Sequence, residues 1–282
     1  MINALTIDVE PWYANEFLTK HLPEQKEDQI EESLEPILDL LDKFHTKATF
    51  FVLGIVAEKY PRLVREIHNK GHEIASHAYS HQKLSNLGQR NFEKEIRESV
   101  ELLTSITGER PLGFRAPSFS INNSTKWAFE VLKKYGFRYD SSIFPIKTML
   151  YGVPNAPLSM YRPSMNDIAK HDPHGDIVEF PMTVLKLGKN IPISGGFYLR
   201  VLPSTFLHFA IRQVNKSRSA TIYIHPWETY PMTPRIAQAP AFSRFVSYYG
   251  INSALEKLRC LLERFEFQPL REFLEKANLH KT

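Results

Sequence analysis

The chain has 282 residues, 43% hydrophobic and 23% charged, with a formal charge of +4 at pH 7. That balance fits a globular protein with a full core and excludes a wholly disordered or low-complexity chain. No run of five Lys or Arg argues for nucleic-acid binding, no internal disulfide can form from the one cysteine, Cys260, and the longest apolar stretch, 48–57, is far short of the roughly 20 residues of a membrane span.

In chain order, residues 5–9 form a short apolar run ending in acids and predict a strand. Residues 30–44 place Ile30, Leu34, Ile37, Leu38 and Leu41 at helical spacing. The β-branched and aromatic run 49–53 predicts a buried strand. Tyr60-Pro61 opens a helix running to Ile67, closed by Lys70-Gly71. Residues 72–76 predict a third strand, 91–106 a helix ended near Gly108, and 113–115 a fourth strand. A helix over 124–135 stops at Gly136, and 137–140 is a fifth strand. The stretch 141–176 carries Pro145, Pro154, Pro157, Pro163 and Pro173 and predicts a long excursion with little regular structure. A strand resumes at 177–181. A helix follows at 203–214, a late strand at 221–224, a long helix at 253–267 with Cys260 on its buried side, and a short helix at 270–277.

Strands alternating with helices imply a parallel sheet with right-handed crossovers. About seven such units in a chain of this length point to an α/β fold, a distorted and incompletely closed (β/α)7-type barrel. The expectation is one domain over 1–282, with a barrel core at 1–230 and a helical C-terminal extension at 231–282 packed on it. The first ten residues have no basic, apolar leader, so a cytoplasmic location is expected, with peripheral contact at the inner membrane face compatible with the mild positive charge.

Polar residues gather at the C-terminal ends of the predicted strands, the end that carries the active site in parallel α/β barrels. Asp8 and Glu10 close the first strand, His77 and His81 follow the third, Arg115 closes the fourth, Asp140 the fifth, and His225 the late strand. His77 and His81 are four residues apart; on a helical turn they share one face and can grip one ion. Two imidazoles and a carboxylate leave positions open for water and substrate. Asp8 and Glu10 alternate along the strand and point the same way; one would bind metal while the other takes a proton from water. Arg115 would clamp and aim Asp8, and His225, oriented by Asp140, is suited to protonate a leaving amine.

These residues carry a family resemblance. The run Gly71-His-Glu-Ile-Ala-Ser-His77-Ala-Tyr-Ser-His81 resembles the metal-binding motif of NodB-type polysaccharide deacetylases, carbohydrate esterase family 4. Thr6-Ile-Asp8-Val-Glu10, Arg115-Ala-Pro117, Tyr139-Asp140-Ser-Ser142 and Ile224-His225-Pro resemble its other motifs, in family order. Gly195-Gly-Phe-Tyr-Leu-Arg200, His225-Pro-Trp-Glu228 and Phe265-Glu-Phe-Gln-Pro-Leu-Arg271 are similar to the exopolysaccharide-associated subfamily found with PEP-CTERM export loci.

The resemblance implies the NodB-homology barrel and hydrolysis of N-acetyl or O-acetyl groups of a saccharide that is free, nucleotide-linked or lipid-linked. It also implies a divalent ion, Zn2+ first, with Co2+, Ni2+ or Mn2+ as alternatives. The family's usual first motif has adjacent aspartates, whereas Val9 stands here between Asp8 and Glu10. The base role is therefore carried onto Asp8 and the ligand role onto Glu10, with the reverse open. Tyr79, Phe119, Trp227 and Tyr230 are candidates to stack on sugar rings. Two rival readings remain: a metal-independent amidohydrolase of the same fold, and a non-catalytic carbohydrate-binding protein of a polysaccharide synthesis complex.

Overall fold

The first strand, β1 (Asn3–Val9), is buried along its whole length. A strand covered on both faces belongs inside a parallel sheet, and the apolar runs that follow meet the same requirement. In the computed structural model, which describes residues 1–148 and 150–279, these runs become β2 (Thr49–Val52), β3 (Glu73–Ser76), β4 (Gly113–Phe114), β5 (Tyr139–Asp140) and β6 (Val178–Glu179). They pair in parallel in that order.

A hairpin, β7 (Val184–Leu187) with β8 (Lys189–Pro192), stands apart as a second sheet. β9 (Thr221–Ile224) joins one edge of β1, giving the curled order β9-β1-β2-β3-β4-β5-β6. β10 (Phe267–Gln268) also pairs with β1. The Asn3 N–H donates to Glu266 O and the Ala4 N–H to Ala220 O. Successive N–H groups of a strand point to opposite edges, so β10 takes the start of β1 on the side away from β9.

Between the strands run α1 (Ile30–Lys43), α2 (Gly54–Lys59), α3 (Pro61–Asn69), α4 (Leu84–Thr107) and α5 (Ala128–Lys134). The second half adds α6 (Gly196–Val201), α7 (Ser204–Val214), α8 (Ala241–Tyr248), α9 (Ile251–Leu262) and α10 (Leu270–Leu279). Pro61 sits at the first position of α3, where its missing N–H costs nothing, and Gly108 ends α4 with φ 78°, a left-handed cap that a side chain would disfavour. No helix among the described residues is long and apolar enough to cross a membrane.

Alternation along β1 sorts its side chains. Leu5, Ile7 and Val9 pack outward with Leu34, Ile37 and Leu41 of α1 and with Val64, Ile67 and Leu258. Ala4 faces the other way, into a layer with Phe51, Ala75, Tyr139 and Phe180. Thr6 and Asp8 share that inner side by the two-residue period of a strand. Replacing Leu5 by Ala in so closed a layer would cost about 2–5 kcal/mol.

The fold class is the expected one, a parallel α/β half-barrel. Among its described residues the excursion 141–176 holds only isolated bridges, Tyr161 with Glu179 and Pro163 with His171. Elements not anticipated are α2, the β7–β8 hairpin, α6, α8 and β10. The helix expected over 253–267 ends at Leu262, because Phe267 and Gln268 pair with the start of β1 instead of continuing the helix. Cys260 is half-buried on the flank of α9 rather than in the core.

Candidate active site

Asp8 lies at the end of β1 and Glu10 just after it, and both are buried and line one cleft. The cleft is lined by Asp8, Glu10, His77, His81, Phe119, Tyr151, Phe197, Arg200, Tyr223, His225, Trp227 and Glu228, among others. Its lining thus combines ionisable groups with aromatic rings.

Glu10, His77 and His81 each offer a ligand atom within 4.8 Å of the others. Glu10 Oε2 lies 2.6 Å from His81 Nε2 and 3.8 Å from His77 Nε2. His77 Nδ1 is 2.8 Å from the Arg115 carbonyl, which can only accept. The proton of neutral His77 therefore sits on Nδ1, and the Nε2 lone pair faces Glu10 and His81. Burial alone would raise the Glu10 pKa, but His225, His81 and His77 hold it well below the usual carboxylate range. Burial disfavours the charged form of His81, yet the Glu10 carboxylate outweighs this and raises it. The donor set, two imidazole nitrogens and one ionised carboxylate, fits a divalent transition metal.

The histidine pair is not on a helical turn, as its spacing had suggested. The segment after β3 is a loop in which Ala78 (φ 61°) and His81 (φ 60°) are left-handed, a backbone state that costs energy in residues with a side chain. Glu95 of α4 holds it, its Oε2 accepting from the N–H groups of Tyr79 and Ser80 at 3.2 Å. The i,i+4 spacing was informative, but the geometry that uses it comes from Glu95, which nothing local in the sequence marks.

Arg115 is fully buried. Its Nη1 donates to Asp8 Oδ1 at 2.6 Å and to Thr6 Oγ1 at 2.8 Å. Its Nε and Nη2 donate to the carbonyl and hydroxyl oxygens of Ser141, each at 2.9 Å. One Asp8 oxygen is thereby fixed, while Oδ2 lies 3.9 Å from His225 Nε2.

His225 Nδ1 donates to Glu228 Oε2 at 2.8 Å, and its Nε2 stands 3.5 Å from Glu10 Oε1. The Trp227 ring stacks on the imidazole, centroids 5.4 Å apart and planes 12° from parallel, and Trp227 Nε1 donates to Glu10 Oε1 at 3.3 Å. Burial lowers the His225 pKa, but the carboxylates of Glu10 and Glu228 prevail and raise it to about 9. Glu228 is raised by burial and lowered further by His225 and Arg200, ending below the usual range.

Asp140 does not orient His225. It accepts from Ser142 Oγ at 2.6 Å and from Ser142 N at 3.2 Å and is hydrogen-bonded to Glu179, with burial raising both carboxyls. Its effect is to shape residues 141–143, whose Ser141 holds Arg115. Glu228 occupies the place expected of Asp140. The turn Pro226-Trp227-Glu228 brings that carboxylate back beneath the histidine three residues before it. Arg200 was equally unforeseen; it donates to Glu228 Oε1 at 2.9 Å from 28 residues away in sequence.

Of the four aromatics expected to meet a sugar, Phe119 and Trp227 line the cleft and Tyr79 and Tyr230 do not. The Tyr79 ring lies over Gly54 so closely that a Cβ there would stand 2.1 Å from it, and its hydroxyl donates to Glu58 at 3.0 Å. That contact turns Tyr79 toward α2.

Comparison with known proteins agrees with this picture. Residues 4–139 match the family described as polysaccharide deacetylase, and residues 141–275 match a domain of unknown function, DUF3473. A peptidoglycan-N-acetylglucosamine deacetylase of Bacillus cereus is 41% identical over 95 residues, 33% of this chain and 34% of its own length. A peptidoglycan deacetylase of Helicobacter pylori is 36% identical over 107 residues, 38% of this chain and 36% of its own. The chain thus spans about a third of the length of these curated relatives. The crystal structure of a polysaccharide deacetylase candidate from Mycobacterium smegmatis superposes with a TM-score of 0.61 at 18% identity, over 99% of this chain and 91% of that one.

The boundary between the two matched regions falls within the sheet, since β5 pairs with β6 across it. The second region also supplies β9, His225, Glu228 and Arg200 to the cleft. Residues 4–139 match the polysaccharide deacetylase family, and the region matching DUF3473 continues the same barrel.

Proposed function

We propose that the chain is a metal-dependent hydrolase that removes N-acetyl, or O-acetyl, groups from a saccharide during surface-polysaccharide synthesis. The observation that carries this reading is the meeting, in one cleft, of the Glu10–His77–His81 donor set with an Asp8 held by Arg115 and a His225 held by Glu228. The single-domain reading follows the same observation, since both halves of the chain furnish the cleft.

Glu10, His77 and His81 would hold the ion, and Zn2+ suits such a donor set best. When bound, it supplies Lewis acidity that polarises the acetyl carbonyl and makes water easier to deprotonate. Asp8 takes the proton from the attacking water; Arg115 fixes one of its oxygens and leaves Oδ2 toward the cleft. His225 in its protonated form gives a proton to the departing sugar nitrogen or oxygen, and Glu228 holds the ring and stabilises its charge. Phe119, Tyr151, Phe197 and Trp227 offer apolar faces to the ring planes of a sugar.

The test is acetate release from N-acetylated oligosaccharides by the purified chain. Release that is lost on chelation, restored by Zn2+, Co2+, Ni2+ or Mn2+, and absent in His77→Ala supports the reading. Chelator-resistant turnover indicates a metal-independent amidohydrolase, and saccharide binding with no turnover indicates a carbohydrate-binding protein.

A further inference from the structure

The segment 231–249 contains no Asp or Glu and carries Arg235 and Arg244. It exposes Met232, Phe242, Phe245 and Tyr249 at 69%, 58%, 45% and 52% of their full areas. Large apolar side chains exposed together in one short segment mark an interaction surface. Ring contacts join this face to the cleft. Phe242 meets Phe17 edge-on at 6.1 Å, and Phe245 meets Phe197 at 6.3 Å; Phe17 and Phe197 both line the cleft. Glu16, an acid on the same rim, is paired with Lys83 at 2.9 Å.

We propose that this face, centred on α8, docks the protein onto an anionic lipid surface, so that the cleft opens toward saccharide borne at that surface. Aromatic and Met side chains with arginines among them, and no acids, match the interface of an anionic bilayer, where rings enter the headgroup region and guanidinium groups meet lipid phosphates. A second copy of this chain fits less well. A twofold contact would bring Arg235 and Arg244 of both copies together with no carboxylate from the segment between them. The contact is peripheral, since the face is one helix of eight residues with its flanking turns. Docking concerns the rim and not the reacting groups, so it is read without turnover and stands or falls separately from the hydrolytic reading.

The experiment is sedimentation of the full chain with vesicles of phosphatidylcholine plus phosphatidylglycerol, and with vesicles of phosphatidylcholine alone. The chain is expected to pellet with the anionic vesicles, at least about tenfold more weakly with the neutral ones, and to be released as salt rises. Met232→Ser combined with Phe242→Ser lowers vesicle affinity at least about tenfold, and Arg244→Gln about fivefold. Thermal melting of these variants stays that of the parent, because the side chains are exposed. No partition onto anionic vesicles, or equal partition by the folded variants, overturns the proposal. So does self-association of the parent that Phe242→Ser abolishes, which would make a second copy the occupant.

Discussion

Glu228 Oε2 lies 2.8 Å from Nδ1 of His225, while Oε1 of the same carboxylate accepts from Arg200 Nη2 at 2.9 Å. All three side chains lie in the second half of the chain, distant in sequence from Glu10, His77 and His81. Arg200 spends its remaining donors on the carbonyls of Val246 and Tyr249, at 2.7 Å and 2.6 Å. The histidine is therefore held by a carboxylate that is itself pinned to the end of α8.

Glu228→Gln separates orientation from charge. The amide keeps the shape but removes one of the anions that favour imidazolium, leaving Glu10, so the His225 pKa drops from about 9. In the proposed reaction the imidazolium donates the proton, so activity is expected to persist below that pKa and to be lost as pH rises through it. The alkaline limb of the kcat profile is expected to move to lower pH, and kcat to fall at least about tenfold. The check is a pH–rate profile of parent and variant with the same metal loaded. An unmoved limb would show that Glu228 does not govern His225.

Gly196→Ala tests the same carboxylate from outside the polar set. A Cβ at Gly196 would stand 1.6 Å from Glu228 Oε2 and 2.1 Å from its carboxyl carbon. Glu228 must move, and both it and its partner Arg200 are buried. Overpacking of this kind costs about 1–3 kcal/mol. The expected outcome is a folded chain with a lower melting temperature and a kcat reduced as far as in Glu228→Gln. Unaltered kcat would mean that the displaced carboxylate still reaches His225.

Asp8 and Glu10 are expected to fail differently. Glu10→Gln removes the anionic member of the donor set and should lower bound metal, read by elemental analysis after dialysis, about tenfold or more. Asp8→Asn should leave metal content near that of the parent and remove turnover, because its carboxylate is tied to Arg115 and is not grouped with His77 and His81. Loss of metal from Asp8→Asn would reverse the two roles.

What could be read from the sequence follows from the range of each interaction. β1, β2, β3 and β9 are runs of buried residues whose pattern is local, and Asp8, Glu10, His77, His81 and His225, at or just after the ends of three of them, line one cleft. Two strands of two residues, β4 and β5, were found because Gly108 and Gly136 stop the helices beside them. β10 was missed because Phe267 becomes a strand only where the edge of β1 receives it. The support of His225 went to Asp140 because strand ends alone cannot rank two acids. The deciding contact is the turn at Pro226 together with Arg200, 28 residues distant. Glu95 shapes the His77–His81 loop from a helix that begins after it, and no spacing rule would find it.

His72 gives a pH dependence of stability away from the cleft. It is buried, its Nδ1 accepts from the Ala48 N–H at 3.2 Å, and its ring meets Phe50 at 4.9 Å. Burial, then the cation of Lys47, bring its pKa down from 6.5 to about 4; Asp42 opposes the shift and Lys70 adds to it. As pH falls from 6.5 toward 4, the unfolded chain takes up a proton that the folded chain refuses, so stability present above 6.5 is lost across that window. Below about 4 both states are protonated and this contribution changes no further. The loss attributable to His72 is on the order of 2 kcal/mol. His72→Asn keeps an acceptor for Ala48 but does not titrate. Urea unfolding of metal-free protein at a series of pH values should therefore show a parent advantage that shrinks as pH drops through this window. A difference between the two chains that stays constant from pH 7 to pH 4 would assign the acid sensitivity to other groups.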